Sequence, residues 1–141
     1  MKARVLLLLL AVVLAGCESA AGSAPAAAPS TVAGVGNVTT APDGVQEVTL
    51  QTQDDYAFTP DSFTVQPGKV RLTVVSVATQ LTHNFRFTPG KGPAAITQEI
   101  PLLAPGDTKT IEFTVAEPGD YAFECSFHTQ LNQVGVMTVQ G

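Results

Sequence analysis

The chain has 141 residues, with seven basic against twelve acidic side chains, no Trp, seven Phe, and two each of Cys, His and Met. The length suits a single domain, whose core must rest on Val, Leu, Ile and Phe. The acidic excess argues against a nucleic-acid partner, because phosphates are gripped by clustered Lys and Arg. It fits an extracytoplasmic domain or docking to a basic partner, and selects neither.

Lys2 and Arg4 open the chain, and Val5 to Leu14 is an apolar run too short to be a comfortable permanent membrane span. The run ends in Leu14-Ala15-Gly16-Cys17, which resembles the lipobox of bacterial lipoproteins. The resemblance implies that residues 1–16 are a signal peptide and that Cys17 carries lipid, holding the protein to the periplasmic or outer face of a membrane. The alternative is an ordinary signal peptide with a Cys at that place by chance. Membrane hold would scale with buried methylenes, at ~0.8 kcal/mol each. With Cys17 lipidated, Cys125 is the lone thiol of the mature chain. Such a thiol in an oxidising compartment is protected by burial or by a metal.

Residues 17–44 are dominated by Ala, Gly, Ser, Pro and Thr, with Glu18 and Asp43 as the charges, and read as a flexible tether. Such a tether has an end-to-end distance of roughly 30 Å, enough to lift a domain clear of a membrane surface. From Val45 to Gly141 the texture is that of one β domain. Short runs at Val45–Leu50, Ser62–Val65, Val70–Val75, Asn84–Phe87, Thr110–Val115, Tyr121–Cys125 and Val134–Val139 are separated by turns. Several of those turns contain Pro-Gly, at Pro67-Gly68, Pro89-Gly90, Pro105-Gly106 and Pro118-Gly119. About seven such strands predict a sandwich or barrel. Thr88 to Ile100 reads as a loop or a short helix.

The chemistry concentrates on His83, Cys125 and His128, the two histidines and the thiol left after Cys17. Cys125 and His128 are three apart at the end of one strand, and His83 begins another strand 42 positions earlier. Antiparallel pairing brings such strand ends to one pole. A thiolate with two imidazoles favours copper, with zinc as second choice. A Cys–His hydrolase reading needs an orienting third group and a helix to depress the thiol pKa, and no such helix is predicted.

The stretch Tyr121–Val139, read with Leu81–Phe85 and Tyr56–Gly68, resembles plastocyanin-like cupredoxins. The resemblance covers residues 45 to 141 and implies an all-β, Greek-key sandwich of about seven to eight strands. It implies one copper ion cycling between Cu(I) and Cu(II), with His83, Cys125 and His128 as equatorial ligands. It makes Asn84 a brace, its N–H facing the Cys125 sulfur and its side chain tied to Ser126. Relatives place an axial Met five or three residues after the second His, where this chain has Gln133 and Leu131. Gln133 resembles the axial Gln of stellacyanin-type members; the alternative is that it ends the loop and the axial position is empty. Met137, nine beyond His128, suits the core.

Phe127 would belong to an apolar docking patch around His128, or else to the core. Asp54, Asp55 and Asp61 match no calcium loop and read as a solvated turn. The function implied is electron transfer by a monomer with a redox protein partner, not enzyme catalysis. Copper storage, or delivery to a copper-requiring oxidase, is the first alternative, and a copper-free structural sandwich the second.

Overall fold

The computed structural model describes residues 32–141; the expected signal peptide at 1–16 and the expected lipidation site Cys17 lie outside them. Among the described residues ten strands form two facing sheets, and one short 3-10 turn lies between the last two strands. The first sheet takes β1 (Thr39–Thr40), β2 (Gln46–Thr52), β5 (Gly68–Ser76) and β8 (Thr108–Val115) in that spatial order, with β3 (Phe58–Thr59) paired to β2. The second is ordered β4 (Ser62–Val65), β10 (Val134–Val139), β9 (Gly119–Glu124), β6 (His83–Phe87) and β7 (Glu99–Leu103). Both sheets are mixed: β2 runs parallel to β5 and β10 parallel to β4, and the other pairs are antiparallel. The expected β-sandwich is therefore present.

Period-two burial builds the core. Val70, Leu72 and Val74 of β5 face inward while Lys69, Arg71 and Thr73 do not. Phe63 and Val65, Tyr121 and Phe123, and Met137 and Val139 do the same on β4, β9 and β10. Phe58, Phe63, Phe85, Phe87, Phe113 and Phe123 interlock between the sheets, mostly edge to face. Met137 is fully buried among them, as its spacing predicts. On the outer face of the first sheet Arg71 lies opposite Glu47 and Glu112 in register and reaches a carboxylate oxygen of each at 2.6 Å. Such cross-strand pairs help fix register on a solvated face.

Two segments differ from the sequence reading. Thr39 and Thr40, inside the expected tether, pair with Glu47 and Gln46, and Val38 packs against the core. The turn that returns the chain is closed by Gly44 N–H to the Ala41 carbonyl at 2.9 Å, with Gly44 at φ +81°. Two residues of strand are too few to show as alternation in an Ala- and Pro-rich stretch. The second segment is β7, which follows the loop at 88–98 and contains Pro101. Proline is tolerated there because β7 is an edge strand, hydrogen-bonded on one side only.

Candidate metal centre

Strands β6 and β9 are antiparallel neighbours, with Arg86 opposite Glu124 and Phe87 opposite Phe123. The start of β6 and the end of β9 therefore share one pole, and His83 meets Cys125 there. Cys125 to Gln133 forms the loop into β10 and is closed on itself. Cys125 N–H donates to the Gln133 carbonyl at 3.0 Å, His128 N–H to the Cys125 carbonyl at 3.0 Å, and Gln133 N–H to the His128 carbonyl at 3.2 Å. Between them Thr129–Leu131 makes the 3-10 turn, ended by Asn132 at φ +64°, a conformation that Asn tolerates.

Candidate donor atoms of His83, Cys125 and His128 all lie within 4.8 Å of one another. Cys125 Sγ is 3.5 Å from His128 Nδ1. Gln133 is fully buried and aims Oε1 at both histidines, 2.9 Å from His83 Nδ1 and 3.0 Å from His128 Nδ1. The far sides of His83 and Gln133 are already engaged. His83 Nε2 faces the Gln53 carbonyl at 3.0 Å, and Gln133 Nε2 donates to the Ala57 carbonyl at 3.2 Å and to Thr52 Oγ1 at 3.5 Å.

This pattern tests whether a metal fits. With the His83 proton on Nε2, its Nδ1 and the Gln133 oxygen are lone pairs facing each other, next to a sulfur and a second imidazole. Such a group of acceptors suits a cation at its centre. Burial pushes His83 below the usual histidine range, against the Gln133 and Gln53 contacts that favour the charged ring. The neutral ring is the ligating form. A soft sulfur with two imidazoles is a donor set for copper.

Asn84 lies beside Cys125 and Ser126. Its backbone N–H donates to Cys125 Sγ at 3.4 Å, its Nδ2 to Ser126 Oγ at 2.7 Å, and its Oδ1 accepts from Ser126 N–H at 2.7 Å. The reciprocal pair ties β6 to the ligand loop and fixes the N–H that faces sulfur.

A second brace escapes sequence reading. Asp54 accepts from Thr79 N–H and Oγ1, Gln80 N–H and Leu81 N–H, so it holds the segment that leads into His83. The sequence offers only an acidic turn there, and the contacts cross 25 to 27 residues. These bonds, led by those from Thr79 and Leu81, hold the Asp54 carboxyl well below its ordinary value of 3.8. Its stabilising effect is complete above that value and is lost as pH falls toward the folded-state pKa, because the unfolded chain takes up the proton first. We expect Asp54→Asn to lower the melting temperature slightly at neutral pH and to flatten its decline between about pH 5 and pH 2, as read by thermal melts across that range. The effect is small because the carboxylate is solvent-exposed.

Exposure is uneven across the site. His83 and Cys125 are fully buried and His128 is half-buried. Around His128, Phe127 is 51 % exposed, Leu131 54 % and Tyr56 36 %. Phe127 is thus outside the core, and Leu131 joins it in an apolar rim that the sequence did not single out as one.

A family model for a cupredoxin-like domain matches residues 6–139. The chain belongs to the cupredoxin family. Among the relatives of this cupredoxin is a plastocyanin from Rumex obtusifolius, 36 % identical over 91 residues, covering 60 % of this chain and 88 % of that one. The chloroplastic plastocyanin of Oryza sativa subsp. indica is 34 % identical over 134 residues, covering 91 % of this chain and 81 % of its own. Among solved structures, the dithionite-reduced auracyanin of Roseiflexus castenholzii aligns with a TM-score of 0.59 at 25 % identity, covering 67 % of this chain and 97 % of that one. Family and donor set together make one copper ion the cofactor of this cupredoxin.

Proposed function

We propose that this cupredoxin is a one-electron carrier with a mononuclear type 1 copper centre, working outside the cytoplasmic membrane and held to it by lipid on Cys17. His83 Nδ1, Cys125 Sγ and His128 Nδ1 would hold the metal, with Gln133 Oε1 as the axial donor. One observation carries this reading: four candidate donor atoms converge at one pole while His83 Nε2 and Gln133 Nε2 are engaged elsewhere. Copper bound there supplies a one-electron couple between Cu(I) and Cu(II). The chain's residues do the rest. The Asn84 N–H donates to the sulfur. The Gln53 carbonyl fixes the His83 tautomer, and the closed 125–133 loop holds its donors in place whichever charge the site carries.

Burial of His83 and Cys125 keeps water from the donors and favours metal retention over delivery. His128, ringed by Phe127, Leu131 and Tyr56, would be the electron port against which a redox protein partner docks a monomer of this chain. The reading requires no substrate and no enzyme activity.

One equivalent of Cu(II) added to the reduced apoprotein should produce an intense blue or green sulfur-to-copper band that bleaches and returns over repeated redox cycles. No band means that the carrier reading is wrong. Loss of copper to a mild Cu(I) chelator on each reduction would instead make the protein a delivery module. Gln133→Met exchanges a hard amide oxygen for a soft thioether and should raise the reduction potential. An unchanged spectrum and potential in that variant would remove Gln133 from the site.

A further inference from the structure

The loop between β2 and β3, Gln53 to Ala57, offers no donor atom to the metal site, yet it touches both histidines and the glutamine. The Gln53 carbonyl meets His83 Nε2 at 3.0 Å, and the Ala57 carbonyl accepts from Gln133 Nε2 at 3.2 Å. Tyr56 sets its ring against that of His128, with centroids 5.0 Å apart and planes at 65°. Between them Asp54 fastens the loop to residues 79–81, which lead into His83.

Tyr56 has a backbone φ of +56°. Glycine adopts this left-handed conformation freely, and an aromatic residue does so at a cost. Strain of this kind persists where the surroundings over-determine it, and it gathers at functional sites. The turn would be easier with glycine, and the ring is 36 % exposed, so burial in the core does not explain the tyrosine. What the ring gains is an edge contact with His128, the less buried of the two histidines. Unlike His83, His128 has no backbone carbonyl at its second nitrogen among the hydrogen bonds of the described residues.

We propose that Gln53–Ala57 is a positioning clamp for the metal centre and that Tyr56 holds His128 in the rotamer that aims Nδ1 at the Cys125 sulfur and the Gln133 oxygen. The proposal rests on the copper reading of those donors. It makes Tyr56 a positioning residue, replaceable by any flat ring of similar size.

The test compares the full chain as wild type, Tyr56→Gly and Tyr56→Phe, each as apoprotein and loaded with one equivalent of Cu(II). Release of copper to EDTA, the visible band and the apo melting temperature are the readouts. In Tyr56→Gly the band should shift and EDTA should strip the copper at about ten- to a hundredfold lower concentration, the range of affinity lost with an outer-shell partner. Its apo melting temperature should be unchanged or higher, since the left-handed strain is gone. Tyr56→Phe should match wild type in all three readouts. No band in wild type would overturn the copper reading and the clamp with it. A normal wild-type band with unaltered band and release in Tyr56→Gly would overturn the clamp alone. So would a fall in apo stability that parallels the copper loss, or a Tyr56→Phe variant as leaky as Tyr56→Gly.

Discussion

Cys125→Ala should yield a protein that folds, binds copper poorly and stays colourless. The visible band of a thiolate-bound copper arises from charge moving off sulfur, so without the sulfur the absorption has no source. On the proposed ligand set the remaining donors would be two imidazoles and one amide oxygen, held where the hydrogen bonds of Gln53, Ala57 and the 125–133 loop leave them. Loss of affinity should exceed the ~10–100-fold typical of losing an outer-shell partner, because a direct ligand is gone. Apo stability should fall by only about 1 kcal/mol, the cost of a cavity of roughly one sulfur atom in a buried position. Cys125→Ser should be equally colourless but less stable, since it buries a more polar hydroxyl where the wild type has a soft sulfur at long range from the Asn84 N–H and His128 Nδ1. Spectra, copper stoichiometry after dialysis and apo melts separate these effects. A coloured Cys125→Ala protein would mean that the sulfur is not a ligand.

The donor set was readable in the sequence because its chemistry is carried by rare side chains. Two histidines and one remaining thiol leave few ways to build a soft metal site, and the strand runs after His83 and before Cys125 put both at strand ends. The sandwich was readable for a similar reason: runs such as Val70–Val75 alternate, and Pro-Gly turns mark their limits. What stayed hidden was made by the backbone or by contacts far apart in sequence. The Gln53 and Ala57 carbonyls that orient His83 and Gln133 belong to residues whose side chains give no signal. Asp54 looked like one acid among three in a turn, and only the folded chain shows four donors converging on it. β1 and β7 were hidden because short edge strands are held by few hydrogen bonds and need no alternating pattern. Nothing in the sequence sets Tyr56 apart from the other aromatic residues, and its positive φ, which no sequence pattern displays, is what marks it out.

Phe123→Ala should be the most destabilising single truncation in the domain, and its effect should reach the metal centre. Phe123 is fully buried on β9 and packs against Phe58, Phe63 and Phe85, with ring centroids 5.4, 5.8 and 5.2 Å away. Truncating such a residue costs about 3–5 kcal/mol, because rigid neighbours cannot collapse into the space. Cys125 is two residues further along and faces the same interior, so the strand that presents the sulfur loses its anchor. Urea unfolding of the apoprotein should show the loss directly. Copper should restore part of it, since a ligand that binds only the folded state stabilises that state by mass action. A loss under about 1 kcal/mol would mean that the aromatic cluster refills the cavity. Gly135 probes the same contact from the other side, for a Cβ there would run into the Phe123 ring and the Asp61 carbonyl. Gly135→Ala alone should therefore be destabilising through overpacking. Combined with Phe123→Ala it should cost less than the two changes summed, because the ring's share of the clash vanishes while the Asp61 carbonyl's share remains. Simple additivity would show that β10 shifts away from the added methyl rather than pressing it against the ring, and that the fit of Gly135 under Phe123 does not set the spacing of β9 and β10, the strands on either side of the copper loop.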